Sequence, residues 1–505
     1  MSKKPKIIAK QIDVTIERCG QKGDGLGYYQ NETVYIDGAL IGEQVNVTLE
    51  RGNDQNLRGK VTSPEQVIVP SDNRHDPECR HAWRCGGCSL QHMGVDFYRK
   101  WKIEQVQEAF TRAEEYAQKH KNDPVKLNNS DPDDWDSPDD DWGAAPANDS
   151  AASMENIKNA YKPKTQHDPI FIGDHTRRRA SFSALKQHNK LTLGFREKRS
   201  HTILDIDDCL VLRNDLFKIV QDMRPFLMGI LRDSRTCGLF VQMTDSGLDV
   251  VLSGEIGAKG EPDLSVHQGV ADMIQALPIA RISWRKRERE SLTLLLEARP
   301  LLHNFGALSV QLPSMAFLQP SIEGEQALTN AMRRGIDAFV AERTKKQSKN
   351  SPKSKAPLMI ADLFAGCGTL SGVLLDYGIV HGYESDQDAV QALDTGLRKA
   401  NEASYARRSD LFKDPLMAGE LTAYDIIVMD PPRAGAKAQS ESLASAHSKA
   451  DKPQLLVYMS CNPASFIRDA GVLAAGGWRF ESLQVIDQFI WSSHVELCGV
   501  FRRNV

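Results

Sequence analysis

The alternation of apolar and polar positions changes period repeatedly along the chain. Between residues 7 and 62, short two-residue alternations at 12–16, 33–36 and 44–49 are separated by Gly23, Gly25, Gly27, Gly38 and Gly42. Side chains alternate across a strand, so this pattern predicts short half-buried strands joined by glycine turns. It places a small OB-like barrel over 1–67, an architecture often used to bind nucleic acid. A cysteine-rich stretch occupies 68–119, and after Trp101 apolar residues recur at helical spacing to about 117. Periodicity then fails over 120–165, where DPDDWDSPDDDW and AAPANDSAAS predict a disordered acidic insertion. Strand-like runs at 181–185, 191–195, 239–243, 248–252 and 292–296 predict an α+β central domain over 166–310. The C-terminal domain is expected over 311–505, interrupted by a Lys-, Ser- and Pro-rich linker at 343–357. From Leu358 onward, short apolar runs alternate with helical stretches, which predicts a Rossmann-like parallel sheet with helices on both faces.

Composition narrows the class. The mean hydropathy is −0.42 and no run approaches the roughly 18 apolar residues that span a bilayer, so no membrane segment is expected. The first six residues are basic but lead into no apolar signal core, and a cytoplasmic location is the default expectation. Nine cysteines in 505 residues are too few for a disulfide scaffold, so cysteines at motif spacing read as metal ligands or nucleophiles. The formal charge of −4 argues against nucleic acid only until it is divided. Residues 122–150 hold nine Asp and one Lys, a local −8, and the remainder is therefore +4. Basic runs at Arg177, Arg178 and Arg179, at 196–199 and at 285–289 are candidate phosphate contacts, although the mixed RKRERE run also fits a solvated strand.

Candidate chemistry gathers at predicted strand ends. LMIADLFAGCGT, residues 358–369, is a buried strand entering a glycine turn, with Gly366 and Gly368 placed for close backbone approach to a ligand. Neither GxGxxG nor GK[ST] is present, so the dinucleotide and P-loop readings lack their key residues. HGYESD ends the next strand with Glu384, a carboxylate suited to two ribose hydroxyls. DPPR places Asp430, and SCNP places Cys461, where ligands bind open parallel sheets. A last strand begins in SHVELCGVF, and an antiparallel course would bring Glu496 to the same edge as Cys461. An isolated Cys is more often a buried inert thiol. Near the N-terminus, CRHAWRCGGC sets Cys79, Cys85 and Cys88 at x5 and x2 spacing, which suits either zinc or an iron–sulfur cluster.

FAGCGTL, DPPRAG, SCNP and the late HVE together resemble the RNA uracil-C5 methyltransferases, over most of 359–501. GDGLGYYQNETVYIDGALIGEQV resembles a TRAM domain, and the cysteine spacing resembles that family's iron–sulfur site. The resemblance implies a class I S-adenosylmethionine-dependent enzyme with Cys461 as nucleophile and Glu496 as base. It implies that Gln319, in MAFLQPS, together with Phe364, Thr369, Glu384 and Asp430 binds S-adenosylmethionine, with Asp410 as a further candidate. It adds Cys209, in LGFREKRSHTILDIDDCLVL, as the fourth ligand of a 4Fe-4S cluster with Cys79, Cys85 and Cys88. Thr369 replaces an Asn often found there, and Trp491-Ser-Ser-His494 replaces His-Thr-Gly-His. TRAM with an iron–sulfur site implies an rRNA partner, most often 23S, and a monomer is expected. The alternatives are a tRNA uracil-C5 methyltransferase, a non-catalytic RNA-binding protein, and an exocyclic-amine methyltransferase. The last would need no cysteine and would show an aromatic residue in place of Arg433.

Overall fold

The computed structural model describes residues 6–52, 55–119, 161–198, 200–348, 357–446 and 452–503. The expected disordered insertion falls mostly outside them. Its last five residues, 161–165, do not fit that expectation: Tyr161 packs on Gly471, and Thr165 enters a strand. Among the described residues no helix is long and apolar enough to cross a membrane.

The N-terminal unit is a single curved sheet. Its strands are Lys6–Thr15, Arg18–Cys19, Gly25–Tyr29, Glu32–Asp37, Gln44–Arg51, Leu57–Lys60 and Val67–Val69. The first pairs antiparallel with the fifth, Val14 opposite Val45. Alternate residues Val14, Val34, Ile36, Val45, Val47 and Leu49 point inward and form a separate small core. The seventh strand pairs with the fifth, so the sheet reaches two residues beyond the predicted boundary.

The central domain is a seven-stranded sheet containing every strand the alternation predicted. Arg179–Gln187, Lys190–Arg196, Thr236–Thr244 and Gly247–Ser253 cover four of the runs, and Thr293–Glu297 covers the fifth but for Leu292. Pairing is antiparallel except between Gly247–Ser253 and Ile279–Arg285, which are joined through helix Leu264–Ala276.

The C-terminal domain holds β1 (Leu358–Leu363), β2 (Gly378–Glu384), β3 (Tyr405–Arg408), β4 (Ile426–Met429), β5 (Leu455–Ser460), β6 (Trp478–Asp487) and β7 (Glu496–Arg503). Their order is β3-β2-β1-β4-β5-β7-β6. Strand β7 runs antiparallel to both its neighbours, β5 and β6. The central strands are apolar on both faces, as burial under two helical layers demands.

Three segments assigned elsewhere from sequence belong to this domain. Thr165–Gln166 and Ile170–Phe171 extend the sheet by pairing parallel with β6. Helix α1 (Val95–Lys119), which follows the cysteine segment, lays Val106, Ala109, Phe110 and Ala113 on the C-terminal core beside Phe466 and Phe480. The hairpin Leu302–Phe305 with Leu308–Gln311 packs on the turn after β1. That approach requires glycine at 372, because a Cβ there would stand 1.8 Å from the Phe305 carbonyl oxygen. The predicted linker also starts late: helix α2 (Ile322–Ser348) continues through its first six residues, and Arg343 pairs with Asp425 at 2.9 Å.

Candidate active site

The carboxyl ends of β1, β2, β4 and β5 and the start of β7 form one edge. Register settles the relation of the two reactive candidates. Ser460 pairs with Leu497 across β5 and β7, so Cys461 and Glu496 are the next positions out on adjacent strands. Asn462 fixes the exit of β5. It caps helix α3 (Pro463–Ala475) by accepting from the Ala464 N–H at 3.1 Å, and its Nδ2 donates to the Arg433 carbonyl at 3.1 Å. The DPPR and SCNP turns are thereby tied together.

A chain of side-chain amides links the carboxylates at this edge. Gln319 Nε2 donates to Asp430 Oδ2 at 3.4 Å, and Gln488 Nε2 donates both to Gln319 Oε1 at 2.9 Å and to Glu496 Oε1 at 3.1 Å. Gln319, Gln488 and Glu496 are buried. Burial pushes the Glu496 carboxyl up to about 8, and the Asp430 charge adds to it against the Gln488 hydrogen bond. Burial likewise raises Asp430 to about 6. The Cys461 thiol is pushed up to about 12, chiefly by burial and then by Glu496 and Asp430, while Arg433 opposes the shift. Anionic charge is crowded here, so burial and mutual repulsion raise the three groups together.

The cofactor candidates lie one strand away. Phe364 and Gly366 have φ of +61° and +54°, and a Cβ at Gly366 would meet open space. The turn therefore presents backbone rather than side chains to a ligand. Glu384 holds it in place: Oε2 accepts from Gly366 N at 3.0 Å, and Oε1 accepts from Ser385 N at 2.6 Å and Asp386 N at 2.9 Å. The Phe364 and Phe412 rings stand 5.5 Å apart. Asp410 sits beside them on the loop after β3, with Lys413 at 2.8 Å, and Thr369 is half-buried after the second glycine. These residues fit a nucleoside: an open glycine turn, a carboxylate at the end of β2 and flanking aromatic rings.

Known proteins agree with this architecture. A family model described as TRAM domain matches residues 6–62, and one described as tRNA (Uracil-5-)-methyltransferase matches 402–505. An uncharacterized RNA methyltransferase of Brucella melitensis is 31% identical over 498 residues, covering 98% of this chain and 99% of the relative. The chain belongs to the S-adenosylmethionine-dependent RNA (uracil-C5)-methyltransferase family. The 23S rRNA (uracil(1939)-C5)-methyltransferase RlmD of Shewanella piezotolerans is 26% identical, covering 98% of this chain and 96% of that protein. The fold is also that of the Pyrococcus abyssi tRNA (uracil-54, C5)-methyltransferase, solved with S-adenosyl-L-homocysteine. That structure superposes with a TM-score of 0.60 at 17% identity, covering 97% of this chain and 99% of that chain.

The cysteine segment of this methyltransferase lies against the central domain. Cys85 bridges to Glu197, and Gly86 N donates to the Arg196 carbonyl at 2.9 Å. Cys79, Cys85, Cys88 and Cys209 are near enough to act on one another electrostatically, and burial raises Cys85, Cys88 and Cys209. Backbone N–H groups of Gly87, and of Val211 and Leu212, point at the Cys85 and Cys209 sulfurs. Such donors suit thiolate ligands. Among the described residues no group of three or more His, Cys, Asp or Glu side chains stands in ready metal-binding geometry.

One sequence expectation about arginine needs correction. Arg178 is buried, pairs with Glu325 at 2.6 Å and donates to the Gln319 carbonyl at 3.0 Å, so it holds the active-site segment and cannot meet phosphate. Arg179 donates to the Leu318 carbonyl at 2.9 Å and stacks on Phe317. The RKRERE run is a strand end and exposed turn in which Arg287 pairs with Glu290, as the solvated-strand alternative expected. Sequence reasoning also missed Gln488 and Asp362. Asp362, fully buried on β1, accepts from Ser371 Oγ at 2.5 Å and is pushed up to about 7, mainly by burial. Gln488 was visible in principle, since it directly follows a strand end on the edge that carries Cys461.

Proposed function

We propose that this enzyme forms 5-methyluridine in 23S rRNA, with Cys461 as covalent nucleophile and Glu496 as general base. The observation that carries the reading is the register of β5 and β7, which sets Cys461 and Glu496 side by side next to Asp430. Uracil C5 is a weak nucleophile. Cys461 releases its proton to water, the resulting thiolate adds to C6, and the displaced C5=C6 electrons pass to O4 as an enolate, which makes C5 nucleophilic. Bound S-adenosylmethionine would supply the electrophilic methyl group that C5 acquires, its S–CH3 bond breaking with both electrons left on the sulfur of S-adenosylhomocysteine. Glu496 then takes the C5 proton, the C5–H electron pair restores C5=C6, and the C6–S bond breaks with both electrons returning to sulfur. Burial suits Glu496 to this task by raising its basicity. Arg433 favours the thiolate at the first step.

Gln319, Phe364, Thr369, Glu384, Asp410 and Asp430 are the proposed cofactor contacts. Cys79, Cys85, Cys88 and Cys209 would hold a 4Fe-4S cluster, which would join the cysteine segment to the central domain. The choice of 23S rRNA rests on full-length likeness to RlmD together with the TRAM domain and these four cysteines. The test is 5-methyluridine mapping in rRNA and tRNA from a deletion strain complemented with wild type or Cys461→Ala. A 23S uridine methylated only with wild type is expected. Loss of methylation confined to tRNA would overturn the substrate, and methylation by Cys461→Ala would overturn the nucleophile.

A further inference from the structure

The loop 488–495 between β6 and β7 leads directly into Glu496, and it is gripped from outside the sheet. Ser89 and Leu90, immediately after Cys88, donate backbone N–H groups to the Trp491 carbonyl at 2.9 and 3.1 Å. Trp491 adopts φ +59°, an uncommon conformation for a bulky residue, and its Nε1 donates to Asp174 Oδ1 at 2.7 Å. Its ring stands 4.9 Å from that of Tyr98 on the first turn of α1. The Trp491 N–H donates to Tyr98 Oη at 3.1 Å, and Tyr98 Oη donates in turn to Asp487. Lys102, one turn along α1, pairs with Asp487 at 3.0 Å and donates to the His494 carbonyl. Asp487 immediately precedes the loop, and His494 lies two residues before Glu496. One ammonium therefore spans both ends of the loop, and both members of the pair are only 1% exposed.

We propose that Tyr98 and Lys102 are positioning residues for Glu496, through which the cysteine segment and α1 fix the base-bearing loop. A buried ion pair with its hydrogen bonds satisfied is better suited to fixing geometry than to adding net stability. Neither residue touches the reacting atoms; they act on the direction of the Glu496 carboxylate. The inference rests on Glu496 being the base that resolves the covalent adduct. Misplacing that base slows proton removal from C5, while addition of Cys461 and methyl transfer, which precede it, proceed.

The experiment follows the SDS-stable protein–RNA adduct and the methylated product separately, using the full-length enzyme, uridine RNA and S-adenosylmethionine. In Tyr98→Phe, adduct formation stays within about twofold of wild type while product formation falls about tenfold or more, so adduct accumulates. The Kd for S-adenosylmethionine, measured by calorimetry, is unchanged, Lys102→Met behaves likewise, and Lys102→Arg recovers part of the rate. Tyr98→Phe keeps the ring packing and decides the matter should Lys102→Met fail to fold. Wild-type turnover in folded Tyr98→Phe, or an equal fall in adduct and product formation, overturns the proposal. Glu496→Gln is run alongside. If it accumulates adduct and the others do not, the positioning role alone fails; if it does not, the base assignment fails and takes this inference with it.

Discussion

Glu496→Gln separates chemistry from stability in opposite directions. The amide keeps the size of the carboxyl and an oxygen for the Gln488 Nε2 donor at 3.1 Å, so the buried chain to Gln319 persists. It cannot accept the C5 proton. General-base catalysis contributes roughly 10²–10⁴-fold, so product formation falls by that factor, about 3–5 kcal/mol of barrier, and adduct accumulates. Stability moves the other way. Burial beside Asp430 raises the Glu496 pKa from 4.5 to about 8, so the folded state retains a proton that the unfolded state releases. The contribution of that bound proton is complete below pH 4.5 and is lost as pH rises through 8. At about 1.4 kcal/mol per pH unit the ceiling is on the order of 5 kcal/mol. Glu496→Gln is therefore more thermostable than wild type at pH 9, and most of the difference has disappeared by pH 5. Thermal unfolding from pH 5 to 9, paired with denaturing gels of RNA reactions, measures both. A pH-independent difference in melting temperature refutes the burial argument, and wild-type turnover refutes the role of the base.

Glu384→Gln turns an N–H₂ toward one of the backbone donors that Glu384 now accepts from Gly366, Ser385 and Asp386. The KM for S-adenosylmethionine should rise about tenfold, from a loss of roughly 1–3 kcal/mol, with adduct chemistry at saturation little altered. Gly372→Ala forces a Cβ to within 1.8 Å of the Phe305 carbonyl oxygen. It should destabilise by about 2 kcal/mol or more, seen as a lower melting temperature. Cys209→Ser should lower the iron content of anaerobically purified protein and reduce rRNA methylation while S-adenosylmethionine binding, measured by calorimetry, stays near wild type.

What the sequence made legible follows from the range of the interactions involved. Cys461, Asp430 and Glu384 each stand at the end of an apolar run, and a strand end is a local signal. Glu496 required one further assumption, an antiparallel last strand, which the pairing of Ser460 with Leu497 bears out. The Lys102–Asp487 pair was out of reach because its partners lie 385 residues apart and neither sits in a motif. Arg178 misled for a related reason: three consecutive arginines look like a phosphate patch until tertiary burial against Glu325 selects one of them. The two-residue strands Thr165–Gln166 and Ile170–Phe171 are too short to show any period, so their membership of the C-terminal sheet could only be seen in space.

That membership bears on the acidic stretch. Helix α1 and residues 161–171 flank it, and both lie on the C-terminal domain. Lys162 pairs with Glu114 at 2.9 Å, so the chain leaves and re-enters the fold at neighbouring points. Residues 120–160 thus close a loop between ends already held together, and closure cost grows only with the logarithm of length. Replacing these 41 residues by about eight Gly and Ser residues should lower that cost by ~1.4 kcal/mol and leave the packing of α1 intact. The shortened enzyme is expected to melt no lower than wild type and to methylate RNA at a similar kcat. Its affinity for RNA should not fall, because nine Asp and one Glu against three Lys, a local charge of −7, are removed from a remainder that is +3. Filter binding across a salt series tests this directly. Weaker RNA binding by the shortened enzyme would mean that the acidic segment contributes contacts of its own and is more than a tolerated connection.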